Sequence, residues 1–321
     1  MAGKFNNRTL IIILILLAGV FLVSRYFRSK TSEGNLKNLQ VKIDTAKIDR
    51  ISIYPKAENQ EEIRFTRMGD LWTVQKGEIV AEAEAYAVRN IFSEILTIKP
   101  EQLVATAREK WSEFYVNDSL GTRVVMNEGK KTRLDMMIGR FNYQPAPGGY
   151  ETGYGQNYGR GITYVRLSDE NEVYAIEGFL AMTFNQDFNS WRNQVLLTLT
   201  KENITRITLD YPMDSGFVLI AQDSLWLIDG MFPDSAKMAQ YLNSLSRKSG
   251  SEFADDFSVV TAPDYQLTIE GNNMQAVTVK AYLRPPNEYI LNSSLNPKSF
   301  FVSGKEGLFR DLFKSRSELL K

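Results

Sequence analysis

Paired acids are the side chains in this sequence whose type and spacing come nearest to hydrolytic chemistry: Glu61 beside Glu62, Glu82 near Glu84, and Asp255 beside Asp256. Two carboxylates in unlike surroundings can share the work of general acid and base, or flank a glycosidic bond. Immediate neighbours on a strand or helix, however, usually face solvent or cap helices, and that is the reading preferred for all three pairs. Histidine and cysteine are both absent. This excludes Cys/His zinc sites, histidine-based triads and thiol nucleophiles built from this chain alone. What remains is paired carboxylates, serine/lysine pairs and oxygen-ligated Ca or Mg. Neither a GxSxG elbow, nor a P-loop, nor a GxGxxG following a strand occurs. The expectation is therefore no catalytic residue, no cofactor and no metal.

Aromatic residues offer a different chemistry, that of recognition. The segment "GRFNYQPAPGGYETGYGQNYGRG", residues 139–161, holds seven glycines, two prolines and the tyrosines Tyr143, Tyr150, Tyr154 and Tyr158. Such composition reads as a long loop rather than a regular core element. Tyrosines give large amphipathic contact area at low entropic cost, so these four are the candidate partner-binding residues. Trp72 and Trp226 could serve as ligand platforms, but their places in two similar short strands favour the core.

The elements that position these residues come in two copies. Arg50, Ile51 and Ile53 of "DRISIYP" recur as Arg206, Ile207 and Leu209 of "TRITLDYP", and "GDLWTV" (69–74) recurs as "DSLWLI" (223–228). Ala85, Val88, Ile91, Phe92 and Ile95 are spaced for a helix, as are Met238, Tyr241, Leu242 and Leu245, with Pro233 and Asp234 at the latter's first turn. Glu128-Gly129 and Glu270-Gly271 each mark a hairpin, and "EGFLAMTF" (177–184) and "EGLFRDLF" (306–313) each read as a short amphipathic helix. Landmarks repeating in one order predict an internal duplication. Each copy reads β-β-α-β-β-β-β-α, an α+β fold with a largely antiparallel sheet and two short helices. The spacing between copies shortens around residues 139–161, so that segment is an insert in the first copy.

The run "LIIILILLAGVFLV", residues 10–23, has fourteen apolar residues, and its flanks extend it toward the roughly 20 that a bilayer core requires. "SRYFRSK" follows it, with large and charged residues where a signal peptide would be cleaved. The organisation expected is a cytoplasmic tail (1–8), a transmembrane anchor (9–27), a stalk (28–40), a first repeat (41–188), a second repeat (189–315) and a tail (316–321). Lysine and arginine (38) balance aspartate and glutamate (38), so no basic field invites nucleic acid.

The anchor, the "DLWTV" and "SLWLI" strands, the helix, the tyrosine-containing strand, the EG hairpin and a second copy opening with "ITRITLDYP" resemble an uncharacterised family of bacterial single-pass membrane proteins with tandem β-rich repeats. The resemblance covers residues 1–315. Members of that family are often encoded beside ABC transporters of the gliding-motility type. The resemblance implies a protein of the cytoplasmic (inner) membrane that projects its soluble domains on the extracytoplasmic side, with an envelope partner such as an ABC transporter subunit. It supplies no active-site residues. Three functions stay open at this point: a non-enzymatic scaffold or accessory subunit, an envelope enzyme acting on glycan or peptide with acids between the repeats, and a glycan- or ligand-binding module using the tyrosine-rich loop.

Overall fold

A computed structural model describes residues 43–144, 159–223 and 225–320. The expected tail, anchor and most of the stalk lie outside these residues. Among the described residues no helix is long and apolar enough to cross a membrane.

The architecture is mostly antiparallel β-sheet with few helices. In chain order the elements are β1 (Arg50–Tyr54), β2 (Ile63–Met68), β3 (Leu71–Lys76), β4 (Ile79–Glu82), α1 (Ala85–Leu96), β5 (Pro100–Ala105), α2 (Trp111–Phe114), β6 (Thr122–Glu128), β7 (Lys131–Gln144), β8 (Arg160–Leu167), β9 (Val173–Glu177) and α3 (Leu180–Phe184). Then follow β10 (Val195–Thr198), β11 (Ile204–Asp210), β12 (Phe217–Gln222), β13 (Leu225–Ile228), α4 (Ser235–Ser246), β14 (Arg247–Ser249), β15 (Tyr265–Gly271), β16 (Val277–Arg284), β17 (Glu288–Ser293), β18 (Asn296–Gly304), α5 (Leu308–Leu312) and α6 (Arg316–Leu320).

The described residues form two compact units. The first comprises 43–67 with 88–186, and the second comprises 68–87 with 187–320. In the first, strands lie in the order β2-β1-β6-β7-β8-β9-β5, each antiparallel to its neighbour. Alternation sets which side chains are inside: Ile51 and Ile53 of β1 are buried, and Ile51 lies opposite Phe65 of β2 and Met126 of β6. The helical spacing read in the sequence is realised in α1, which buries Val88, Ile91 and Ile95 along one stripe. At the β6–β7 turn Gly129 has φ +56°, a conformation costly for any side chain. Its N–H donates to the Asp49 carboxylate at 2.7 Å, tying the hairpin to the start of β1.

In the second unit the sheet order is β13-β12-β11-β15-β16-β17-β18, again antiparallel throughout. The β3–β4 hairpin and the separate β10–β14 pair also belong to this unit. Ile207 lies opposite Leu219 and Ile269, as Ile51 lies opposite Phe65 and Met126. Met238, Tyr241 and Leu245 of α4 pack on Ile207, Leu219 and Ile269, each such buried side chain contributing on the order of 1.5–3 kcal/mol. Asp234 caps α4 by accepting from the Lys237 N–H at 2.9 Å.

Three details depart from the sequence reading. Each unit has a third described α-helix, α2 in the first and α6 in the second. Residues 316–320, expected as a tail, form α6 because Leu319 finds a buried place. The insert is not loop from end to end: 139–144 continue β7 and 160–161 open β8.

Candidate interaction surface

The root of the insert is a two-stranded ribbon in which Phe141 pairs with Thr163, Asn142 with Ile162, Tyr143 with Gly161 and Gln144 with Arg160. The period-2 rule puts Phe141 and Tyr143 on one face. Opposite them the small residues Gly159 and Gly161 leave room for the rings. A Cβ on Gly161 would stand 2.6 Å from Phe141 Cε2 and 3.0 Å from Phe179 Cε1, and one on Gly159 would stand 2.4 Å from the Tyr143 hydroxyl oxygen. Glycine here is the seat of an aromatic surface, which its loop-forming reputation conceals.

The helix α3 borders that face. Phe179, just before it, stacks on Phe141 with centroids 5.4 Å apart and planes at 25°. Phe179 is 51% exposed, Met182 55% and Tyr143 56%, although all three are large and apolar or amphipathic. Beneath them Leu180 and Phe184 are buried, and Thr163 Oγ1 donates to the Gly178 carbonyl at 2.9 Å, so the border is anchored. Arg160 Nη1 pairs with Glu101 at 2.9 Å and its Nε donates to Gln144 Oε1 at 3.2 Å, fixing the ribbon's edge. Of the four tyrosines singled out, Tyr143 is on this surface. Tyr150, Tyr154 and Tyr158 lie outside the described residues. Phe179 and Met182 were not singled out, since their exposure depends on which face of a five-residue helix packs down.

The paired acids are dispersed and engaged. Glu62 accepts from Tyr54 at 3.1 Å and forms an ion pair with Arg64. Burial alone would raise its carboxyl, yet hydrogen bonds from Ser52, Arg64 and Tyr54 outweigh burial and hold it below the ordinary carboxylate range. Glu82 accepts from Asn193 Nδ2 at 3.0 Å, and Glu84 accepts from the Tyr86 N–H at 3.2 Å. Asp255 binds Arg192, and Asp256 lies 3.6 Å from Arg284. Among the described residues no group of three or more acids gathers that could hold a metal ion. Trp72 is buried, whereas Trp226 is half-buried and borders a concavity of about 400 Å³ with Asn243 and Asn272.

A family model described as "Domain of unknown function (DUF4340)" matches residues 72–268, from the Trp72 strand to the middle of β15. The chain belongs to the DUF4340 family. No curated protein and no solved structure matches it. The DUF4340 match begins in β3 and takes in the hairpin, α1, the aromatic ribbon and the opening of the second sheet, so the candidate surface lies within the family's shared span.

Proposed function

We propose that this DUF4340 protein is a membrane-anchored, non-enzymatic scaffold or accessory subunit that presents two tandem copies of one α+β unit outside the cytoplasmic membrane. Its partner is an envelope protein, an ABC transporter subunit being the kind of partner the sequence resemblance suggests. The observation that carries the binding reading is the face at the root of the insert on which Tyr143, Phe179 and Met182 are exposed and Phe141 is half-buried. Large apolar side chains grouped on a rigid ribbon, with glycines cut away beneath them, suit a partner surface better than a substrate cleft.

The anchor rests on residues 10–23 and the duplication on sequence landmarks. The duplication is further supported by the parallel runs β2-β1-β6-β7-β8-β9 and β12-β11-β15-β16-β17-β18. A non-catalytic role accords with acids that are scattered and already bonded. The test is purification of the full chain in mild detergent from its own membranes, wild type beside Tyr143→Ala/Phe179→Ala. A transporter membrane subunit that co-purifies with wild type and is lost about tenfold from the double variant supports the reading, since two interface anchors of this kind together carry roughly that affinity or more. Equal recovery with both proteins, or none with either, overturns it.

A further inference from the structure

The second unit contains a cavity of about 360 Å³ between α4 and the segment carrying α5 and α6, a volume at the small end for ligand pockets. Along α4, Gln240 and Tyr241 each lie three or four residues from both Lys237 and Ser244, so the four share a stripe. The opposite wall comes from Asp311 of α5, Lys314 in the following turn, and Glu318 and Leu319 of α6.

The walls are tied together rather than merely adjacent. Tyr241 donates its buried hydroxyl to the Leu312 carbonyl at 2.7 Å, and the Asp234 N–H at the start of α4 donates to the Leu319 carbonyl at 2.9 Å. Tyr211 donates to the Lys314 carbonyl at 2.5 Å, holding the turn that carries that lysine. These bonds fix the spacing of the lining groups before any ligand arrives, which lowers the ordering cost of binding.

The charges within the cavity are unequally used. Asp311 is ion-paired with Lys248. Glu318 accepts from both the N–H and the hydroxyl of Ser315 at 2.7 Å each, and these bonds outweigh burial to hold its carboxyl low. Lys237 and Lys314 are both half-buried, and among the described residues neither ammonium is in an ion pair or hydrogen bond at contact distance, although Lys314 lies close enough to Glu318 to help hold its carboxyl low. With Asp311 committed to Lys248 and Glu318 to Ser315, the two lysines are the lining groups whose donors are free to meet an entering anion. The buried Tyr241 ring and Leu319 add an apolar floor.

We propose that this cavity is a binding site for a small organic anion, in which Lys237 and Lys314 hold clustered anionic oxygens and Tyr241 and Leu319 receive an apolar body. Free carboxylates and phosphate monoesters share this chemistry. Ser244 and Gln240 supply further polar contacts at the rim.

Calorimetric titration of the full chain in a neutral detergent tests this with three probes: phthalate, phenyl phosphate and benzyl alcohol. At least one anion binds with Kd below about 1 mM, and benzyl alcohol does not bind. Phthalate alone identifies a carboxylate site, and phenyl phosphate alone a phosphate site. Lys237→Gln and Lys314→Gln each weaken the bound anion about tenfold, the usual loss for one charge-assisted hydrogen bond. Lys314→Arg retains binding, which separates loss of charge from loss of fold, and unchanged thermal unfolding of the Gln variants guards the same point. Neither anion binding with Kd below about 1 mM, benzyl alcohol binding as tightly as the anions, or Gln variants that bind like wild type, overturns the proposal.

Discussion

Arg192 and Asp255, 63 residues apart, form a bidentate pair in which Nη1 and Nη2 each donate to a carboxylate oxygen at 2.7 Å. The guanidinium is 3% exposed and is stacked 3.6 Å over the Phe253 ring, with Phe188 at 5.2 Å. Its Nε has no hydrogen-bond partner among the described residues, so Asp255 is its main electrostatic compensation. A buried cation neutralised by one carboxylate, with Nη1 also donating to Asn189 Oδ1 at 3.2 Å and two rings alongside, holds the strand start near β10 to the segment preceding β15.

Removing Asp255 strands that cation. Asp255→Ala is expected to destabilise the protein by about 3 kcal/mol, read from guanidinium denaturation. Replacing both partners, Arg192→Met with Asp255→Leu, restores most of that loss, because an apolar pair needs no compensation. A double variant as unstable as Asp255→Ala would show that the rings, and not the charge, carry the contact.

This pair also marks the limit of what a sequence discloses. The stripes of α1 and α4 were readable because apolar residues recur at helical spacing, and the hairpins because Glu-Gly follows an alternating run. Asp255 beside Asp256 looked like two solvated acids, since nothing local says that one of them meets an arginine 63 positions earlier. In the candidate surface Tyr143 stood out by type. Gly159 and Gly161 pointed to loop because glycine is read for its backbone freedom, while their use here is absence of a side chain under Tyr143, Phe141 and Phe179. β5, which begins at Pro100 and carries Glu101 and Gln102 facing outward, lacked the alternation that announces a strand.

Gly161→Ala tests the role given to that missing side chain. The added methyl meets Phe141 and Phe179, so the rings must leave their stacked positions. Overpacking of this kind is expected to cost about 1–2 kcal/mol in thermal or chemical unfolding, and to weaken partner recovery along with it. A protein with unchanged stability and unchanged partner recovery would mean the rings move freely and are not a formed surface.

Acid sensitivity should trace to Asp135. Burial by itself would raise its carboxyl, but hydrogen bonds from Arg123, at 2.9 and 2.6 Å, and from Ser168, at 2.5 Å, hold it below the usual range. A depressed folded-state pKa contributes stability that is fully present above the unfolded value near 3.9 and is lost as pH falls through the folded one. Ser168→Ala removes one of these bonds. Its stability deficit against wild type is expected to be constant from about pH 7 to 5 and to shrink below about pH 4, where Asp135 protonates in both proteins. A deficit that stays constant down to pH 2 would place the effect elsewhere than in the carboxylate.

Arg166 makes the most specific demand on side-chain shape. It is 3% exposed, and its Nε donates to the Val116 carbonyl at 3.1 Å while Nη1 reaches the carbonyls of Leu167, Ser168 and Glu170 at 3.0–3.2 Å. The guanidinium stacks 3.7 Å over Trp111, whose indole N–H donates to the Asn171 carbonyl at 3.1 Å. One planar group thus joins the end of α2 to the turn between β8 and β9. An ammonium is a compact point charge and cannot meet Val116 and the 167–170 carbonyls together, nor stack on an indole with the same area. Arg166→Lys is therefore expected to cost about 2 kcal/mol although the charge is kept. Amide exchange should localise the loss, with protection falling first at residues 168–171. If Arg166→Lys were as stable as wild type, the carbonyls would be satisfied by charge alone and the fork geometry would be incidental.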